Sequence, residues 1–242
     1  MDYQQAIKRP FVDLKKFLIG IALITGAITN FFVLGYLLEA VKLTLNKKKE
    51  LPIWQNLDQL FIKGLLSLII IIIYMIPAMV VAISGIIIGV IKGLLTVGFL
   101  KENVIIGILE GLEISIPLFV IASMLILISA YLFPLALIKY ATTWNFKEAF
   151  RLNEIIKKAI NLKYFSAWIV SLAITIIIVA ILAIGFMFDL ALMMVLTQIP
   201  IIGMIVLPIG IFVIPIIGIV AGIFISEIIS LTLIAQVYTE VK

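Results

Sequence analysis

Residues 35–66, GYLLEAVKLTLNKKKELPIWQNLDQLFIKGLL, form a charged and partly amphipathic stretch between two long apolar runs. Four lysines lie in its first half: Lys42, Lys47, Lys48 and Lys49. Lysines in short loops beside apolar segments mark the cytoplasmic side of a membrane-spanning chain. The stretch therefore predicts a cytoplasmic loop from which the remaining topology can be counted outward.

The composition of the 242-residue chain indicates a multi-pass membrane protein. Hydrophobic residues make up 64% of it and charged residues 13%, whereas a soluble domain has roughly 45–50% and about 25%. Lipid accepts an apolar exterior if the backbone hydrogen bonds are satisfied internally, as they are in helices. A membrane barrel would alternate polar and apolar residues, and the run from Leu65 to Ile83 does not. We therefore predict an all-α, polytopic integral membrane helical bundle.

The absence of two residue types limits the reactions and metal sites that the chain can support. The chain has no cysteine and no histidine, which excludes disulfides, thiol chemistry, a histidine base and the usual zinc ligands. Its net charge of +5 lies in loops beside apolar segments, so we interpret the charge as a topology signal and a contact for lipid headgroups, not for nucleic acid. Membrane lipids are the expected partners, and the sequence indicates no cofactor, no metal and no catalytic residue.

Six apolar segments and two interfacial helices make up one predicted transmembrane domain, residues 1–242. Four segments are predicted to span the membrane: about 65–91, 115–138, 164–188 and 216–238. Two others, about 17–38 and 190–214, either span or re-enter, because each carries a central amide, Asn30 or Gln198, beside glycines or prolines that suit a break. Apolar residues at helical spacing predict interfacial helices over about 52–63 and 145–161.

The positive-inside rule places the basic loops 39–63 and 139–163 in the cytoplasm, since most of the charge lies there. All three tryptophans, predicted to be interface anchors, lie in or beside these loops: Trp54, Trp144 and Trp168. Six simple crossings would put both termini outside, against the basic residues near the N-terminus. The conflict disappears if 17–38 and 190–214 re-enter, and the sequence leaves both topologies open.

Glu227 is the ionisable residue near the middle of a predicted span. A charge at that depth costs about 2.5–3.5 kcal/mol on insertion scales. The functional interpretation is a proton-coupled or cation site, for which Asn30 and Gln198 are the other intramembrane polar candidates. The structural interpretation is a protonated carboxyl that hydrogen-bonds Ser226, Ser230 or a neighbouring helix.

Glycine pairs with GxxxG spacing predict close helix contacts within the chain. The pairs are Gly85/Gly89, Gly107/Gly111 and Gly218/Gly222. The same spacing can form a dimer interface, so a homo-oligomer or a membrane partner stays open.

Several short patterns resemble one family. They are Gly35-Tyr36, Leu51-Pro52-Ile53-Trp54, Leu60-Phe61 followed by Gly64, and Tyr74 followed by Pro77. Together they look like the uncharacterised prokaryotic membrane family called domain of unknown function 4013. The closing Ala235-Gln236-Val237-Tyr238 is similar to that family's end, with alanine where the family pattern has glycine. The resemblance implies an archaeal or bacterial multi-pass membrane protein and no known activity.

These observations predict a non-enzymatic protein of the cell membrane, either a transporter or channel component or a lipid-organising protein. The alternative is a membrane enzyme that acts on lipid through carboxylate, Ser, Tyr or Lys groups at the interface. No such set converges by spacing.

Overall fold

The computed structural model describes residues 2–26, 28–97, 104–196 and 209–241, which form helices and the turns between them. The α-helices are α1 Tyr3–Lys8, α2 Leu14–Ile24, α3 Asn30–Leu45, α4 Leu57–Val97, α5 Val104–Ile114, α6 Ile116–Thr143, α7 Leu152–Ala159, α8 Leu162–Leu196 and α9 Ile214–Glu240. Two 3₁₀ helices, Arg9–Phe11 and Phe146–Phe150, and a π-helical turn, Ile209–Val213, lie between them. The predicted all-α class is confirmed.

Four helices are long and apolar enough to cross a membrane: Leu57–Leu95, Ile116–Thr143, Leu162–Leu196 and Ile214–Glu240. They contain the four segments that the sequence predicts to span. In α9, 44% of the most apolar window is buried, against 6% in α8. The helix α9 is therefore a central helix, and α8 keeps a broad apolar surface for lipid.

The chain divides into two compact units. The first comprises Met1–Leu68 and Leu135–Lys242, and the second comprises Ile69–Pro134. In the first unit α9 packs against α8, α3, α2 and α1. Its C-terminal half is nearly enclosed, and Leu233 and Ala235 have no exposed surface.

The predicted interfacial helix at 52–63 is wrong as a separate element. Residues 51–56 are not helical, so Pro52 is not a first helical residue, and α4 begins at Leu57. From there α4 continues without interruption, because the glycine at position 64 costs only about 1 kcal/mol inside a helix. The interfacial turns and the membrane span are one helix of 41 residues, with Pro77 inside it.

The predicted interfacial helix at 145–161 is present in two pieces. The 3₁₀ helix and α7 meet at Arg151, whose φ of −75° and ψ of 71° are not helical. Asn145 begins the first piece, and its side chain accepts a hydrogen bond from the backbone N–H of Lys147 at 3.1 Å. Helical structure is therefore present over most of 145–161 but is not continuous, and its position at a membrane interface stays a prediction.

The segment 17–38 is a helical hairpin. Between α2 and α3 the hydroxyl of Thr29 donates to the carbonyls of Leu23 and Gly26. The start of α2 lies near the residues that follow α3. The ammonium of Lys16, in the first turn of α2, donates to the carbonyl of Leu51, which follows α3, at 2.9 Å. The two helices have 11 and 16 residues, fewer than the roughly 20 that a crossing needs. A single straight crossing is therefore wrong for this segment.

The predicted boundary near residue 188 is also wrong. The helix α8 includes Asp189 and ends at Leu196, because the residues after the aspartate are apolar and helix-compatible. The first part of the predicted segment 190–214 therefore belongs to α8, and its last part is the π-helical turn. Gln198 lies outside the described residues.

Of the glycines predicted to make close contacts within the chain, Gly85, Gly89, Gly111 and Gly222 do so, whereas a Cβ at Gly218 would have ordinary contact distances. In the second unit, a Cβ at Gly85 would contact Phe119, and one at Gly111 would overlap the carbonyl of Gly89. In the first unit, a Cβ at Gly222 would overlap the side chain of Leu182. Gly111 therefore allows a backbone approach that a side chain would block, whereas at Gly85 and Gly222 the neighbouring side chain would have to shift.

Candidate functional site

Both basic loops and both ends of the chain meet at one end of the first unit. We call residues 2–16, 39–63, 139–163 and 236–241 the basic end. The backbone N–H of Asp2 donates to the side-chain oxygen of Gln236 at 2.8 Å. Lys163 pairs with Glu240 at 3.2 Å. The sequence prediction that these segments share a side agrees with this arrangement.

Arg9 joins three parts of the chain: its own segment 2–16, the segment 39–63 and the helix α9. Its side chain is 1% exposed, and its guanidinium donates to the hydroxyls of Thr44 and Thr232 and to the carbonyls of Ala40 and Glu50. Burial lowers the pKa of Arg9 to about 10, which leaves the group cationic at neutral pH. All four acceptors are neutral oxygens, so dipoles hold this buried charge in place of a carboxylate.

Residues 51–54, Leu-Pro-Ile-Trp, form the LPxW turn. Two contacts hold this turn against the hairpin of α2 and α3. The rings of Tyr36 and Trp54 stack with centroids 3.9 Å apart and planes 5° apart. The indole N–H of Trp54 donates to the carbonyl of Lys16 at 3.0 Å. A Cβ at Gly35 would overlap the backbone of Leu60. The residues that carry the family resemblance therefore pack α3, the turn and α4 together.

Most carboxylates of the basic end are paired with cations. Lys139, near the C-terminal end of α6, pairs with Glu154 and, at 3.7 Å, with Glu148. Glu148 also pairs with Arg151 at 2.8 Å. The hydrogen bond from Lys139 lowers the pKa of Glu154. Within the described residues, no group of three or more acidic side chains could hold a metal ion. This arrangement suits a structural role for these carboxylates.

The predicted tryptophan anchors differ in their surroundings. The ammonium groups of Lys42 and Lys63 lie 4.9 and 4.2 Å from the ring centre of Trp144. Trp54 is stacked as described, and Trp168 is half-buried in α8. Their role at a membrane interface stays a prediction.

The predicted intramembrane candidates do not form a shared site in the described part of the chain. Glu227 is exposed on α9 and has no hydrogen bond or ion pair to a described residue. The hydroxyl of Ser226 donates to the carbonyl of Ile223 at 2.9 Å instead, so the predicted bond between Ser226 and Glu227 is not made. Asn30 is half-buried at the first position of α3.

An apolar groove with a volume of about 680 Å³ runs between α8 and α9. Its α8 wall includes a stripe at helical spacing: Thr175, Ile178, Leu182, Gly185 and Asp189. Its α9 wall includes Pro215, Gly218, Gly222 and Ser226. From Thr175 to Asp189 the groove extends about 21 Å at 1.5 Å per helical residue.

Asp189 places a buried carboxyl group in the lining of this apolar groove. Its side chain is 9% exposed, and its Oδ2 atom is buried without a hydrogen-bond partner in the described structure. At the same stripe, a Cβ at Gly185 would meet no atom within 4 Å. Sequence reasoning missed this site because it took Asp189 as the end of a span. The sequence does contain one indication of it, because Gly185 and Asp189 are four positions apart and so lie on the same face of a helix.

The comparisons with known proteins give one match. A family model described as "Protein of unknown function (DUF4013)" matches residues 18–187. The closing Ala235–Tyr238 pattern lies beyond the matched residues. No curated protein and no solved structure matches the sequence.

Proposed function

Since the chain belongs to the DUF4013 family of proteins of unknown function, we propose that it is a non-enzymatic, multi-pass protein of a prokaryotic cell membrane that binds and organises lipid. The apolar groove between α8 and α9 is the observation that carries this proposal. Four apolar helices support the membrane location.

The lining of the groove fits an acyl chain. Its described residues are apolar except for Thr175, Ser226 and Asp189. The hydroxyls of Thr175 and Ser226 donate to carbonyls of their own helices at 3.0 and 2.9 Å, so they need no partner from a ligand. A groove of about 21 Å exceeds one leaflet of a hydrocarbon core that is about 30 Å thick. It can therefore cover most of one lipid chain.

We place the basic end in the cytoplasm. The excess of lysine and arginine in both basic loops supports this orientation. A hairpin at 17–38 that enters and leaves on one side, followed by four crossings, returns both termini to the cytoplasm. This topology satisfies the charge distribution without an extra crossing.

Lipid binding has more support than transport or enzymatic activity. A proton-coupled site around Glu227 would need partners, and its carboxyl has none among the described residues. An interfacial enzyme would need carboxylates available to substrate, whereas Glu154 and Glu148 are engaged by Lys139 and Arg151. The groove, in contrast, is open and apolar.

Native mass spectrometry of the protein released from membranes tests lipid binding. Gly185→Leu should fill the groove and reduce bound lipid to background, and it should fold normally because its Cβ points into open space. Ile184→Phe is the matched control, since Ile184 is 71% exposed on α8 and does not line the groove; it should retain lipid.

Two results would contradict the proposal. Equal lipid retention by the Gly185→Leu and Ile184→Phe variants would show that the groove does not hold lipid. Conversion of an oligomer into monomers by Gly185→Leu alone, without lipid loss, would show that the groove holds a second copy of the chain.

A further inference from the structure

We propose that Asp189 makes the groove selective for lipids whose headgroup is a primary ammonium. This inference rests on the proposed lipid-binding function and names the class of lipid. Asp189 and Gly185 are one helical turn apart on the same stripe of α8. A lipid whose chain covers Gly185 therefore has its polar part beside Asp189.

The carboxyl group of Asp189 lacks the hydrogen-bond donor that a buried carboxyl normally has in a protein. More than nine-tenths of the side chain is buried, and Oδ2 has no hydrogen bond to a described residue. Buried polar atoms are nearly always hydrogen-bonded, because leaving one unsatisfied carries its full desolvation penalty. Arg9, Tyr36 and Ser115 also have a buried polar atom without a partner in the described structure, but only Asp189 among these four residues lines the groove, where a bound molecule can supply the donor.

The two helices that form the groove offer no cation to Asp189. The basic residue in α8 and α9 is Lys163, at the opposite end of α8. It is about 39 Å along the helix from Asp189 and already pairs with Glu240. Neither helix of the groove therefore neutralises Asp189, and we expect the bound amphiphile to supply the cation.

The depth of Asp189 matches a lipid headgroup. It lies about 40 Å along α8 from Leu162 at the basic end, whereas the hydrocarbon core is about 30 Å thick. Asp189 is therefore at the headgroup level of the leaflet away from the basic end. The apolar stripe from Ile178 to Gly185 lies on the hydrocarbon side of it.

The chemistry of the carboxyl distinguishes between headgroups. A primary ammonium has N–H groups and can form charge-assisted hydrogen bonds with a carboxylate. A trimethylammonium group has the same charge and no N–H donor. An anionic phosphoglycerol headgroup brings a like charge, which disfavours binding next to a carboxylate.

The selectivity can be measured in nanodiscs with equal parts of phosphatidylethanolamine, phosphatidylcholine and phosphatidylglycerol of identical acyl chains. Lipids that stay bound to the wild-type protein are counted by native mass spectrometry. We expect phosphatidylethanolamine to exceed each of the others by about tenfold, which corresponds to about 1.4 kcal/mol. Asp189→Asn and Asp189→Leu should retain lipid and bring these ratios close to one.

Glu227→Gln is the control, because it removes a carboxyl from α9 outside the groove and should leave the preference unchanged. Bound lipid without a headgroup preference in the wild-type protein would overturn this inference and leave lipid binding intact. Loss of the preference in the Glu227→Gln variant would also overturn it. Failure of the proposed function would differ, since Gly185→Leu would then leave the total amount of bound lipid unchanged.

Discussion

The guanidinium of Arg9 donates a hydrogen bond to the hydroxyl of Thr232 at 3.1 Å and so joins two residues that are 223 positions apart. Arg9→Gln should lower the melting temperature in detergent strongly, because each hydrogen bond to a charged group contributes about 1.5–3 kcal/mol. Arg9→Lys should have an intermediate effect, since an ammonium lacks the planar fork of donors.

Arg151→Gln is the control for this prediction. Arg151 has a side chain that is 58% exposed and pairs with Glu148 and Glu154, and exposed ion pairs contribute only about 0–1 kcal/mol. Similar melting temperatures for the Arg9→Gln and Arg151→Gln variants would contradict a structural role for the buried arginine.

Gly35→Ala and Gly64→Ala should each destabilise the first unit. A methyl group at these positions would overlap the backbone of Leu60 or Phe31, and overpacking costs about 1–3 kcal/mol. Gly185→Ala is the matched control because its methyl meets open space and gains up to about 1 kcal/mol of helix propensity. Thermal unfolding in detergent should separate the three variants. Equal losses in all three would mean that helix packing is not the cause.

Stability should fall on acidification partly through Glu154. The hydrogen bond from Lys139 lowers the folded pKa of Glu154 below its usual value of 4.5, so the unfolded state binds a proton at higher pH than the folded state does. The contribution is therefore complete above that value and is lost as the pH falls through the lower folded pKa.

Glu154→Gln should reduce this acid dependence in melting curves measured between neutral and acidic pH. Asp13 contributes in the same direction, since the backbone N–H of Lys16 lowers its pKa. Glu113→Gln, at an exposed site in α5, is the control and should keep the wild-type profile. An unchanged profile in the Glu154→Gln variant would refute the linkage.

Single cysteines can test the topology, because the chain has none of its own. In intact cells, an impermeant maleimide should label Glu110→Cys, whereas Asn46→Cys and Glu240→Cys should react only after permeabilisation. Labelling of Asn46→Cys in intact cells would show that the proposed orientation is wrong. Opposite behaviour of Asn46→Cys and Glu240→Cys would contradict the hairpin topology.

The four spans could be predicted because about 20 consecutive apolar residues are a strong signal. Their ends could not, since the turns of α4 from Leu57 and the apolar residues after Asp189 continue their helices without a break. The resemblance identified Tyr36 and Trp54, but nothing in a pattern shows that their rings stack. The groove forms because α8 packs against α9. The sequence does not show this pairing, so it could not predict that Asp189 lines a groove.

The contacts of Arg9 also set an order of assembly during translation. Three of its acceptors lie at or before residue 50, whereas Thr232 follows the arginine by 223 positions. At about 5–20 residues per second, that hydroxyl is made roughly 11–45 seconds after the arginine. The full set of hydrogen bonds to Arg9 therefore forms only after the part of α9 that carries Thr232 has been made. Final packing of the N-terminal segment therefore depends on a helix that is synthesised long after it.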